Sequence, residues 1–205
     1  MELDELKSAW AQYDKKLTEN LKLNVELLKR MNLDKSSRET GRLLNYEIVT
    51  TIINGLFIIW IFIVTINHFY ETKFLVSGIA TIIIMLPYFL FSAIKSNMLL
   101  RIDYFNSSVL DLQKKMNLFN QKYLKFRKWE FGLVPLLAFA IIPITGLVVR
   151  NFDFDFLWER YCIGVLVSLV IGYPLAIWFY KNWYDKKIKN TQRFLKEIEK
   201  FESEG

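Results

Sequence analysis

The sequence predicts an all-α integral membrane protein, with four transmembrane helices joined to cytoplasmic amphipathic or coiled helices. Three observations predict it. First, the 205 residues are 53% hydrophobic and 23% charged, and the two classes are segregated along the chain. Second, four windows carry no charged residue: Glu47 to Glu71, Lys73 to Lys95, Glu130 to Arg150, and Arg160 to Lys181. Third, Lys and Arg alternate between rich and poor segments, with nine in residues 1–45, eight in 94–130 and seven in 181–205, out of 27.

Each window is long enough to cross a bilayer. The hydrocarbon core is ~30 Å and a helix rises ~1.5 Å per residue, so about 20 apolar residues suffice. The expected spans are 48–67, 74–94, 131–149 and 161–180. Their Ile-rich stretches would favour strands in water, but in lipid a helix satisfies every backbone group within its own segment. The domains follow: an N-terminal helical segment (1–45), a first transmembrane hairpin (46–94), a middle amphipathic segment (95–130), a second hairpin (131–180) and a C-terminal helix (181–205). The acidic opening Met-Glu-Leu-Asp-Glu-Leu is no signal peptide, so the first span is expected to act as its own insertion signal.

The positive-inside rule orients the chain with both ends cytoplasmic. The loop between spans one and two holds only Lys73, and that between spans three and four sets Arg150 and Arg160 against Asp153, Asp155 and Glu159. Aromatic belts agree, with Tyr46, Trp129, Trp183 and Tyr184 at inner boundaries and Phe69, Tyr70, Trp158 and Tyr161 at outer ones. The net charge of +6 is accounted for by anionic lipid headgroups beside the basic segments and calls for no nucleic acid.

The three basic segments share a heptad pattern. Leu3, Leu6, Trp10, Tyr13 and Leu17 step 3, 4, 3, 4, and the seam continues through Asn20 and Asn24 to Leu27 and Met31. This helix is expected to stop near Asn32 to Lys35, with Ser36 and Glu39 forming a capping box for the helix that enters span one. In the middle segment Ile102, Phe105, Val109, Leu112, Met116, Phe119, Tyr123 and Phe126 hold the same rhythm. Both ends of that segment return to the membrane, so it either folds back as a hairpin or lies along the surface. The capping chemistry of Asn106-Ser107-Ser108 with Asp111 marks the break for a hairpin. The tail repeats the pattern with Tyr184, Ile188, Thr191, Leu195 and Ile198. The three segments are expected to pack as one helical bundle. A faint repeat of 83 residues brackets the hairpins, each entered by an aromatic-Glu pair, Tyr46-Glu47 and Trp129-Glu130.

Chemistry-bearing groups are scarce. No Asp, Glu, Lys, Arg or His lies at the middle of a span, which argues against ion-coupled transport. His68 is the sole histidine and Cys162 the sole cysteine, so neither a disulfide nor a Cys/His zinc site is expected. Asp153 and Asp155 read as a solvated turn. With no phosphate-cradling loop and no nucleophile elbow, the expectation is no enzyme, no catalytic residue, no cofactor and no metal. Asn54 is expected to make an interhelical hydrogen bond, and Gly164, Ser168, Gly172 and Ala176, four apart, form a small-residue stripe for close helix packing. That packing is either within the bundle or against a second copy in a homodimer.

The opening Met-Glu-Leu-Asp-Glu-Leu-Lys-Ser-Ala-Trp, through Leu3, Leu6, Lys7 and Trp10, resembles the start of small bacterial membrane proteins encoded beside extracytoplasmic-function sigma factors. These are candidate anti-sigma factors, and the similarity covers about the first 33 residues and the general layout. The chain departs from zinc-binding anti-sigma domains, having no His-x3-Cys-x2-Cys run. The resemblance implies a multi-pass protein of the bacterial inner membrane that sequesters a sigma factor by helix packing alone. Leu3, Leu6, Trp10, Tyr13 and Leu17 would form the partner-binding face, with Trp10 as anchor. The same face could instead pack on the protein's own middle segment. A structural or scaffolding oligomer is the alternative function, and a channel or transporter is the least supported.

Overall fold

The computed structural model describes residues 3–150 and 158–204, and every described element is helical. They are α1 (Leu3–Asn67), α2 (Thr72–Leu100), α3 (Val109–Arg150), α4 (Trp158–Phe179), a π-helical turn (Tyr180–Tyr184) and α5 (Asp185–Glu204). Asp153 and Asp155, and the side chains of Leu3, Leu6, Trp158, Tyr161 and Ser168, lie outside the described residues. Three helical stretches are long and apolar enough to cross a membrane: Trp10–Asn67, Thr72–Leu100 and Cys162–Lys200.

The expected stop near Asn32 does not occur. α1 runs unbroken for 65 residues through Ser36. No Pro or Gly interrupts residues 3–40, the Ser36 hydroxyl is buried without a hydrogen-bond partner among the described residues, and Glu39 is drawn to Lys187 on α5 at 2.9 Å. Ser36 and Thr40 are buried, and Thr40 Oγ1 lies 2.6 Å from the Tyr104 hydroxyl. Asn32 donates to Glu197 on α5 at 3.4 Å. A side chain committed to a neighbouring helix has no need to cap its own.

The middle segment does fold back. α2 ends at Leu100, and residues 101–108 form the turn. Asp103 accepts from the backbone N–H groups of Phe105 (3.0 Å) and Asn106 (3.2 Å) and from the Asn106 amide (2.7 Å). These bonds to its charged form hold the Asp103 carboxyl below its ordinary range. Ser108 Oγ accepts from Asp111 N–H at 3.3 Å, the capping contact that the spacing predicts.

The structure has two halves. In the basal half, residues 32–47 of α1, 109–127 of α3 and 185–198 of α5 share a core of Leu43, Leu112, Met116, Phe119, Tyr123, Ile188, Leu195 and Ile198. The tail heptad is buried at every position, whereas Phe105 falls in the turn and is exposed. Two ion pairs brace α5, Arg127–Asp185 at 2.8 Å and Lys187–Glu39 at 2.9 Å. In the apolar half, α1 and α2 cross closely where Gly78 meets Thr65; a Cβ at Gly78 would overlap the Thr65 side chain. Ser77 Oγ bonds the Ala140 carbonyl of α3. The outward faces here are apolar: Ile52, Leu56, Ile59, Ile63, Ile83 and Ile171 are all exposed.

Candidate functional site

Two regions of this framework carry unusual chemistry. One is a buried charge cluster where the halves meet. The other is the first third of α1.

The cluster forms because each helix brings one polar group to the same level, just beyond the end of its apolar window. Lys95 Nζ lies 3.1 Å from Glu47 Oε1 and 3.0 Å from Glu130 Oε1. All three side chains are at least nine-tenths buried. One ammonium therefore serves two carboxylates, and hydroxyls satisfy the remaining oxygens. Tyr184 donates to Glu47 Oε1 at 2.6 Å. Ser92 Oγ lies 2.9 Å from Glu47 Oε2, with Thr51 Oγ1 2.9 Å behind it. Tyr180 reaches Glu130 Oε2 at 3.3 Å, and Tyr88 donates to the Glu130 carbonyl at 2.6 Å. Rings close the site: Tyr123 stacks on Tyr184 at 4.4 Å, and Tyr46 packs on Trp183 at 5.1 Å.

Burial alone would pull the Lys95 ammonium below its ordinary range, but the Glu47 and Glu130 carboxylates outweigh it and raise the pKa. Burial, reinforced by the Glu47 carboxylate, holds the Tyr184 hydroxyl well above its ordinary 10.0. Both groups thus stay protonated at neutral pH. The π turn lets Tyr180 and Tyr184 serve different carboxylates; such insertions often mark functional positions.

The charge-free windows treat Glu47, Lys95 and Glu130 only as span boundaries, so their mutual pairing is missed. The signal was present in the repeat: the two aromatic-Glu pairs place their carboxylates on one lysine. Among the described residues no three His, Cys, Asp or Glu side chains form a metal-binding group.

The predicted packing residues fare differently. Asn54 is half-buried and makes no interhelical bond; Thr51, one turn earlier, makes it to Ser92. Gly164 and Gly172 are exposed on α4, with open space where a Cβ would stand, and Ala176 is half-buried.

The first third of α1 exposes the apolar residues described there. Trp10 is 68% exposed, Tyr13 65% and Leu17 48%, and Leu21, Leu23, Leu27, Leu28 and Met31 are exposed as well. Among the described residues, from Trp10 to Met31, the seam does not pack on the protein's own middle segment. At ~100° per residue, it lies roughly a third of a turn away from the face that buries Asn32, Ser36, Thr40, Leu43 and Glu47. The arm from Trp10 to Met31 extends about 33 Å at 1.5 Å per residue.

No family model matches this chain, and neither does any curated protein or solved structure.

Proposed function

We propose that this chain is a four-span integral membrane protein with both ends in the cytoplasm. It presents residues 3–31 as a rigidly rooted helical arm that binds and sequesters a cytoplasmic regulatory protein. The class of partner implied by the resemblance of the first 33 residues is a sigma factor, which places the protein in a bacterial inner membrane. The reading is non-enzymatic and needs no cofactor, metal or nucleic acid.

One observation carries it: an apolar helical seam of about three heptads, Trp10 to Met31, is exposed to solvent and turned away from the protein's own core. Contiguous exposed apolar surface of this kind marks an interaction site, and an amphipathic helix laid into a groove is a common way to use one. The basic segments also gather at a single end of the structure, which supports a common cytoplasmic side.

Full-length protein in lipid nanodiscs, titrated with a sigma factor encoded beside its gene where one is found there, tests this reading. Trp10→Ala should weaken binding by about tenfold or more, as expected for a central aromatic anchor. Equal binding by both forms, or none by either, counts against it. Labelling of a cysteine at position 20 from outside intact cells would overturn the orientation.

A further inference from the structure

Below α4, a cavity of about 820 Å³ opens between α3 and the α4–α5 junction. Its lining joins apolar Ile177 and Phe131 to basic Arg127, Lys181, Lys186 and Lys189. The single acid on the wall is Asp185. That carboxylate is already committed: Arg127 Nη1 lies 2.9 and 2.8 Å from its two oxygens, and the Tyr123 hydroxyl donates to it at 2.9 Å. Asp185 and Arg127 therefore cancel. Lys181, Lys186 and Lys189 have no carboxylate partner among the described residues, leaving three ammonium groups around one hollow. The Asn182 and Asn190 side chains add neutral hydrogen-bonding groups beside them.

We infer that this cavity is a binding site for an anionic phospholipid of the cytoplasmic leaflet, its phosphate held by Lys181, Lys186 and Lys189 and its acyl chains laid along Ile177 and Phe131. The inference rests on the membrane placement proposed above. Basic pockets between helices on the cytoplasmic side suit such headgroups, and the volume is that of an ordinary ligand pocket. Lipid is favoured over a free phosphate because the wall changes from basic to apolar within one turn, from Lys181 to Ile177. That is the polarity change across a headgroup region, and a soluble anion has no use for the apolar wall. The gap itself arises because α4 meets α3 through a few rings, with Phe131 at 5.3 Å from Tyr173 and 5.5 Å from Tyr180.

Native mass spectrometry of the purified full chain, offered phosphatidylglycerol or phosphatidylcholine, tests the site. Wild-type protein is expected to retain the anionic lipid about tenfold or more over the zwitterionic one. The variant Lys181→Gln/Lys186→Gln/Lys189→Gln should lose that preference. The charge-matched control Lys114→Gln/Lys122→Gln/Lys125→Gln should keep it. No preference in wild-type protein overturns the site, and so does equal loss in both variants. Displacement of the lipid by inorganic phosphate alone assigns the pocket to a soluble anion and also overturns it. A chain that fails to enter nanodiscs at all rejects the membrane placement instead, a result separable from loss of selectivity.

Discussion

Residues 10–31 and 32–47 belong to one continuous helix, yet the first stretch is exposed on nearly every side and the second is buried along one face. In the upper stretch the apolar residues Trp10, Leu17, Leu21 and Leu28 face outward. In the lower stretch the buried positions are mostly polar, Asn32, Ser36, Thr40 and Glu47, with Leu43 among them. Hydrophobic burial therefore cannot be what seats the lower stretch by itself. It is located by specific partners: Glu197, Tyr104, Lys95 and Tyr184. Buried polar groups of this kind are costly when orphaned and unforgiving of register error. The lower stretch thus fixes the angle at which the helix leaves the bundle, and the upper stretch is held out by it.

The largest effect should come from the polar root. Lys95→Met leaves two buried carboxylates facing each other without a counterion, and should cost ~3–5 kcal/mol in thermal or denaturant unfolding in detergent. The triple replacement Glu47→Gln/Lys95→Met/Glu130→Gln removes the charges together and should recover most of that loss. A single variant as stable as wild type would mean the cluster does not pair. Gly78→Leu forces α1 from α2 at Thr65, and overpacking of this kind should cost ~1–3 kcal/mol by the same assay.

Tyr184→Phe removes the donor to Glu47 Oε1 and should cost ~1–3 kcal/mol at neutral pH. It should also change the alkaline limb of stability. The folded-state pKa values of Tyr184, Tyr123 and Lys95 are all raised, Tyr123 by burial and then by Asp185. Their contributions are therefore complete below the ordinary values of 10.0 for tyrosine and 10.5 for lysine, and are lost as pH rises toward the folded-state values. Thermal stability should fall above about pH 10, and less steeply in Tyr184→Phe. An unchanged alkaline slope in that variant would remove Tyr184 from the account.

The smallest stability effect belongs to the arm. Trp10→Ala and Leu17→Ala touch nothing in the fold and should shift stability by no more than ~0.5 kcal/mol, while weakening partner binding. A larger loss would show that the arm packs on its own chain.

Much of this architecture is legible in the sequence, because long apolar windows and heptads are local signals. The tail face Tyr184, Ile188, Thr191, Leu195 and Ile198 reads directly as a buried stripe, and the Ser108–Asp111 contact reads as a cap. What escapes is long-range. Ser36-x-x-Glu39 has the chemistry of a helix start, and only the Tyr104 and α5 contacts reveal a helix interior. Glu47, Lys95 and Glu130 are 48 and 35 positions apart in the chain, so only the 83-residue repeat hints at the two glutamates and nothing local joins them to Lys95. The heptad of residues 3–31 shows an apolar seam but not which surface covers it; its exposure is a property of the packed bundle.

Backbone hydrogen exchange on the full chain in nanodiscs tests the division of α1 most directly. Amides of residues 32–47 should be strongly protected and those of 10–31 weakly protected, as expected for a helix without tertiary packing. Addition of the proposed sigma-factor partner should protect 10–31 and leave 32–47 unchanged. Strong protection of the arm in the protein alone, or no change on adding the partner, would contradict the account.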